Sequence, residues 1–97
     1  MSDTGTTCIN VVFNNSIELG FTILPMMSTD YKERFRAEYN QVCIRARKLK
    51  QMLQDWEAGR LTFKPTCPKD LLIKQLEVML EYTAILEERA LLEGVEL

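Results

Sequence analysis

The sequence predicts a mainly α fold: an antiparallel helical hairpin that oligomerises, preceded by a short N-terminal extension with a β-hairpin signal. Three observations carry this reading. Apolar or small residues recur by threes and fours at Phe35, Tyr39, Val42, Ala46, Leu49, Leu53 and Trp56. The same stepping returns at Leu72, Leu76, Met79, Thr83, Leu86 and Ala90. Such spacing places one apolar stripe along each of two helices. Finally, two long helices with one seam each cannot bury all their apolar surface against each other. The hairpin therefore predicts a partner, most simply other copies of itself. Its 97 residues make one domain with a thin core, for which oligomerisation is the usual remedy.

The chain divides into an N-terminal extension, residues 1–29, and a hairpin domain, residues 30–97. Residues 1–8 are small and polar. Ile9–Phe13 and Ile17–Leu24 are β-branched runs on either side of Asn14-Asn15-Ser16, which is a β-hairpin signal. A lone two-stranded hairpin is marginal in water. Four readings stay open: it docks on the helices, joins another copy, is disordered, or lies outside a folded unit that starts at Met26 or Met27.

Asp30 is a good N-cap, and Glu33 three residues on completes a capping box. The first helix is expected from Tyr31 to Glu57, roughly 40 Å at the helical rise, with Gly59 as its C-cap glycine. Residues 60–67 form the connection, with Leu61 and Phe63 folding back over the hairpin end. Pro65 biases Lys64 away from helix. Thr66 or Cys67 caps the second helix, and Pro68 takes its first position, where a missing N–H costs nothing. That helix runs to about Glu93, and Gly94 stops it.

Composition excludes several functions. The chain has no histidine, which removes the commonest general base and the commonest metal ligand. No Gly-rich phosphate loop, GxSxG, HExxH or CxxC occurs, so no catalytic residue, metal site or cofactor is expected. Glu87 and Glu88 read as helix-surface neighbours rather than a shielded acid/base pair. No apolar run is long enough for a membrane span, and residues 1–26 lack the features of a signal peptide. Cys8, Cys43 and Cys67 are then read as free thiols in a reducing cytoplasm.

The net charge of −2 hides an asymmetry. Residues 28–67 carry nine Lys/Arg against five Asp/Glu, and residues 68–97 carry three against seven. A basic first helix beside an acidic second one favours antiparallel packing, mostly through rim ion pairs of little individual worth. An overall pI near 5.1 argues against long DNA or RNA, which wants a broad positive footprint.

Binding residues are nonetheless present. Arg45, Arg47, Lys48 and Lys50 cluster on the first helix, with Lys32 and Arg34 before them. Tyr31, Tyr39, Trp56 and Tyr82 add aromatic faces. Cations beside aromatics suit a small phosphate-and-base ligand, although most basic clusters on helices are solvated faces. On the second helix Leu71, Val78, Ile85 and Leu92 form another apolar stripe at seven-residue spacing. Gln75, Tyr82 and Arg89 run beside it with the same period. One stripe can face the first helix and the other a neighbouring copy.

Taken together, the residues run Tyr31-x-x-Arg34, then Arg45-x-x-Lys48-Leu49 with Leu53. After the connection come Leu71-Leu72-x-x-Gln75-Leu76-x-x-Met79-x-x-Tyr82 and Leu86-x-x-Arg89. This pattern, over about residues 30–92, resembles the hairpin family of small phage proteins that act as anti-CBASS and anti-Thoeris cyclic-nucleotide sponges. The N-terminal segment departs from the compact anti-CBASS form. The resemblance implies a homo-oligomer, typically a hexamer, in the cytoplasm of a phage-infected bacterium. It implies no catalysis, and sequestration of cyclic di- and trinucleotide messengers between protomers. By position Tyr31 would stack on a base and Arg45 or Lys48 would hold phosphates, with Arg34 among the binding residues. Arg89 would suit a second pocket near a symmetry axis, and Gln75 and Tyr82 could line either. The rivals are a structural or adaptor hairpin that binds another protein, and a small nucleic-acid-binding regulator using the basic stripe at 45–50.

Overall fold

A computed structural model of the protein describes residues 18–97. A short 3-10 turn, Leu19–Thr22, runs into a single helical turn, α1 (Ile23–Met26); two long helices follow, α2 (Tyr31–Glu57) and α3 (Lys69–Glu93). The helices α2 and α3 pack as an antiparallel hairpin, and the described residues contain no strand.

Local chemistry sets the helix ends. The Asp30 carboxylate accepts the Lys32 N–H at 3.0 Å, as an N-cap should. Its own N–H donates to Ser28 Oγ at 2.9 Å rather than to Glu33, so the expected capping box is replaced by a Ser28–Asp30 relay. At the far end Gly59 takes φ 72°. Its N–H donates to the Trp56 carbonyl, and the Arg60 N–H reaches back to the Asp55 carbonyl at 2.7 Å. That is a Schellman closure, which needs a left-handed residue. The α3 helix starts on Pro68, whose carbonyl accepts from Leu71 and Leu72. Neither Thr66 nor Cys67 supplies the cap that the sequence led us to expect. Gly94, at φ 71°, ends α3, and the Val95 N–H returns to the Ala90 carbonyl at 2.9 Å. This turn buries Val95 in the core, and Arg36 Nη1 donates to the Glu96 carbonyl. The tail is thus part of the packing.

The core joins Phe35, Tyr39, Cys43 and Ile44 of α2 to Leu86, Ala90 and Val95. Thr83 sits fully buried on α3, and its hydroxyl is satisfied by the Leu80 carbonyl at 2.8 Å. The Tyr39 hydroxyl donates to Glu87 Oε2 at 2.5 Å, tying α2 to α3. Glu87 is therefore half-buried and engaged, which corrects its reading as a plain surface neighbour; burial, more than any other influence, pushes its carboxyl up.

A second face of α2, which the apolar stripe does not include, is buried as well. Ala37 and Ile44 lie there, covered in part by the segment before α2. Leu19 packs on the core, and Thr22 is buried with its hydroxyl donating to the Leu19 carbonyl and accepting from Gln41 Nε2. From Glu18 near Arg47 and Lys48, through Thr22 at Gln41, to Pro25 beside Glu33 and Ala37, the segment runs antiparallel to α2. Residues 19–24 are therefore helical, which corrects the strand expected there. A helix surface offers no unpaired strand edge, so a segment lying on it satisfies its backbone by local bonds. For residues 18–27, docking is the outcome among the readings left open. Ile9–Phe13 and Ile17 lie outside the described residues, as does Cys8.

Two smaller expectations also change. Cys43 is disulfide-bonded while Cys67 is free, so the reading of three free thiols holds only for Cys67 among the described cysteines. Leu61 and Pro65 are half-buried at the hairpin end, but Phe63 stays 57% exposed.

Two outcomes follow from this packing. Ile44→Ala should lower unfolding free energy by about 2–5 kcal/mol in urea titrations at fixed protein concentration, because Ile44 is fully enclosed. Gln54→Ala, on an exposed position of the same helix, should stay within about 0.5 kcal/mol. Equal effects would mean that the second face of α2 is not packed. Burial first, then the bond to Glu87, pushes the Tyr39 phenol well above its ordinary 10.0. The folded chain keeps a proton that the unfolded chain loses, so stability is intact below pH 10 and falls as pH rises past it. One such group gives a slope of up to about 1.4 kcal/mol per pH unit. Tyr39→Phe should flatten that alkaline fall, and an unchanged slope would show that the phenol is not held neutral.

Candidate functional site

The hairpin register decides which of the expected binding residues meet. The Tyr82 hydroxyl of α3 donates to the Glu38 carboxylate of α2. Seven residues is close to two turns, so a step of seven along a helix returns to nearly the same face about 10.5 Å away. From Glu38 and Tyr82, one antiparallel step reaches Tyr31 and Arg89. The opposite step reaches Arg45 and Gln75. Five of the seven residues singled out in the sequence thus line one side of the hairpin, and all five are exposed.

The end nearest Tyr31 is the best defined. Phe35 forms its floor, 3% exposed. The Tyr31 ring stands edge-on to it, with centroids 6.1 Å apart at 81°. The Arg89 guanidinium lies over the Phe35 face at 4.8 Å from the ring centroid. A cation over an aromatic face is worth about 0.5–1 kcal/mol at an exposed site, so the contact orients Arg89 at little cost in stability. Glu93 accepts from Arg89 Nε and Nη2 at 2.8 and 3.3 Å, while Nη1 makes no hydrogen bond among the described residues. The bond to Glu38, then partial burial, pushes the Tyr82 phenol above its ordinary value, so it remains a neutral donor.

The remaining cations divide. Arg45 is exposed on the stripe that runs from Tyr31 through Glu38, and its side chain makes no hydrogen bond or ion pair among the described residues. Lys48, three residues on, turns toward the N-terminal segment, where its Nζ lies 3.4 Å from Glu18 Oε1. Arg34 donates from Nη1 to the Ser28 carbonyl at 2.8 Å, beside the start of α2. The structure thus separates Arg45 from Lys48, which spacing alone left equivalent, and places only Arg45 on the Tyr31 side.

Sequence reasoning missed two residues of this neighbourhood. Phe35 was read as core only, yet its face carries Arg89. Glu38 lies seven residues from both Tyr31 and Arg45, a spacing that could have exposed it. Arg47, one of the basic cluster that the sequence offers for binding, reaches Glu18 Oε2 at 3.9 Å, on the side of the N-terminal segment.

Beside this side of the hairpin runs the second stripe of α3. Leu71, Val78, Ile85 and Leu92 are 57%, 53%, 58% and 81% exposed. Nothing among the described residues encloses them, and a contiguous apolar stripe of this kind marks a contact surface. Grooves among the described residues lie elsewhere. One, at the hairpin turn, is bounded by Trp56, Leu61, Phe63 and Pro65, with Lys69 Nζ over the Trp56 ring at 4.9 Å. Another lies between α1 and α2, beside Phe21, Pro25 and Ala37. Neither includes any of the seven residues. Among the described residues no group of three His, Cys, Asp or Glu could hold a metal ion. Among the described residues no helix is long and apolar enough to cross a membrane.

A family model described as Sequestin matches residues 29–92, which takes in α2, the connection and α3 as far as Leu92. Neither the curated proteins nor the solved structures give a match to the chain. Because the family match covers well over half of the 97 residues, the chain belongs to the Sequestin family, whose name denotes a sequestering protein.

Proposed function

We propose that this is a phage-encoded immune-evasion protein that binds cyclic di- or trinucleotide messengers and sequesters them without cleavage. It would thereby block CBASS-type antiviral signalling in the cytoplasm of the infected host. The observation that carries this reading is the alignment of Tyr31, Arg45, Gln75, Tyr82 and Arg89 on one exposed side of the hairpin. Aromatic faces stack on bases, guanidinium groups fork onto phosphates, and amide or phenol groups read base edges. All three kinds of group recur there at two-turn intervals.

Tyr31 and Arg45 lie fourteen residues apart, roughly 21 Å along α2, so one chain does not bring both to one small ligand. A second copy running the opposite way would place its Arg45 near the first copy's Tyr31. Such an isologous contact repeats each group twice and matches a ring with two phosphates. The apolar stripe at Leu71, Val78, Ile85 and Leu92 borders the same side, so a copy that covers it also closes the ligand site. Tyr31 then stacks on a base, and Arg45 holds a phosphate. Arg89, steadied on Phe35, serves a second pocket where several copies converge, and Gln75 and Tyr82 line the contact. A sponge needs only tight, stoichiometric binding by preformed groups, and the rigid hairpin supplies them. No step of bond cleavage is required.

The same exposed stripe favours the adaptor reading, in which a different protein covers it. One experiment separates the two. Calorimetric titration with a panel of cyclic di- and trinucleotides should give tight binding of at least one member, with the nucleotide recovered intact. Arg45→Ala should weaken that binding about 10- to 150-fold, the worth of one charge-assisted contact, while leaving the size of the assembly in solution unchanged. No heat with any member would leave the adaptor as the better account.

A further inference from the structure

We infer that the hairpin turn is a docking site for an extended segment of a partner protein, one that carries an aromatic side chain next to Asp or Glu. The inference stands apart from the cyclic-nucleotide reading and uses none of its residues.

The connection between α2 and α3 is held firmly at both ends. At its start, Asp55 Oδ1 accepts from Arg60 Nε and Nη2 at 3.2 and 2.9 Å and from Gln51 Nε2 at 3.1 Å, which reinforces the closure at Gly59. At its close, Lys69 Nζ reaches Glu57 Oε1 at 3.1 Å and lies over the Trp56 ring. Leu61 and Pro65 are half-buried between these anchors. Yet from Leu61 to Cys67 no hydrogen bond forms with any described residue. Backbone N–H and C=O groups are obligatory hydrogen-bonding groups. A fixed stretch of chain with its main chain unpaired is a template for a second extended segment, whose main chain supplies affinity while a pocket supplies specificity.

The pocket is present beside that backbone. A groove of about 260 Å³ is lined by Trp56, Gly59, Leu61, Phe63, Lys64 and Pro65. Phe63 stays exposed in a turn that half-buries Leu61 and Pro65 on either side of it, and it makes no ring contact among the described residues. An aromatic side chain seated there would meet both Trp56 and Phe63, and aromatic pairs gain beyond the area they bury. Charge selects the neighbour of that anchor. Residues 58–69 carry Arg60, Lys64 and Lys69 and no acid. Asp55 engages Arg60 and Glu57 engages Lys69, whereas Lys64 makes no hydrogen bond or ion pair among the described residues. A carboxylate beside the anchor is therefore attracted, and a cation there is repelled. A free aromatic acid would use the groove and Lys64 alone; an extended segment uses the unpaired main chain as well.

Trp56 is the single tryptophan of the chain, so its emission reports on this groove. The probe is the blocked pentapeptide acetyl-Glu-Asp-Phe-Asp-Glu-amide, with one control that has Lys for each acid and another that has Ala for Phe. The acidic aromatic peptide should move Trp56 emission saturably to shorter wavelength and shift the amide resonances of Phe63, Lys64 and Thr66. Both controls should bind at least about tenfold more weakly. Phe63→Ala should weaken binding of the probe about tenfold, and Lys64→Gln about two- to fivefold, the worth of one exposed ion pair. Both side chains are exposed, so both variants should keep the parent's urea midpoint and assembly size. No saturable change with the acidic peptide, or equal binding of its lysine control, overturns the inference. Phenylacetate bound as tightly as the peptide overturns the main-chain pairing. A smaller assembly for Phe63→Ala gives the turn to a second copy of this chain and overturns the inference as well. None of these outcomes bears on the messenger reading, which the cyclic-nucleotide panel tests by itself.

Discussion

The antiparallel register of α2 against α3 is the constraint on which the rest of the structure depends. Phe35, Leu86 and Ala90 pack across the seam, and the Tyr39–Glu87 hydrogen bond joins its two sides. Burying a Phe or Leu side chain is worth roughly 1.5–3 kcal/mol, so a few such contacts outweigh the rim charges in fixing the register. A slip of one turn, about 5.4 Å, would carry Arg89 off the Phe35 face and Tyr82 away from Glu38. It would also leave Tyr39 and Glu87 partly buried without each other, at the cost of an unpaired polar group. The side of the hairpin proposed for a ligand is therefore set by packing contacts that lie behind it.

Charge acts on a different part of the molecule from the one the sequence points to. The basic α2 and acidic α3 were expected to be held together by rim pairs. Among the described residues, Lys69–Glu57 at 3.1 Å is the ion pair that joins the two helices. The basic cluster of α2 looks instead to Glu18, and Arg89 and Arg60 find acids on or next to their own helices. The seam is thus left to apolar packing, and α2 retains cations on surfaces that α3 does not cover. Arg45 is such a residue, two turns from the Glu38–Tyr82 pair.

Much of this was legible in the sequence because helix ends and helix faces are written in local chemistry. Asp30, Gly59, Pro68 and Gly94 mark the ends, and the threes-and-fours spacing marks the seam. The seven-residue spacing of Gln75, Tyr82 and Arg89 already placed them on one side of α3. The relation between that side and α2 was not legible, since it depends on register, and register comes from packing. The segment at residues 19–24 was misread for a similar reason. Its β-branched residues favour a strand in isolation, but docking on α2 overrides a weak propensity. Val95 was passed over because its burial follows from the left-handed turn at Gly94 that folds it back. Glu18 could not be paired with Arg47 and Lys48 from spacing, because nearly thirty intervening residues carry no period that links them.

The central claim is that one side of the hairpin, from Tyr31 and Arg89 to Arg45 and Gln75, receives the ligand. Amide and side-chain NMR shifts of the isotopically labelled protein, followed during addition of a 3′,3′-cyclic dinucleotide, test this most directly. The account predicts that the largest changes fall on Tyr31, Glu38, Arg45, Gln75, Tyr82 and Arg89, with little change at Phe63 or Lys64 by the hairpin turn. Changes centred on the Trp56–Pro65 end, or a spectrum that does not respond, would contradict it.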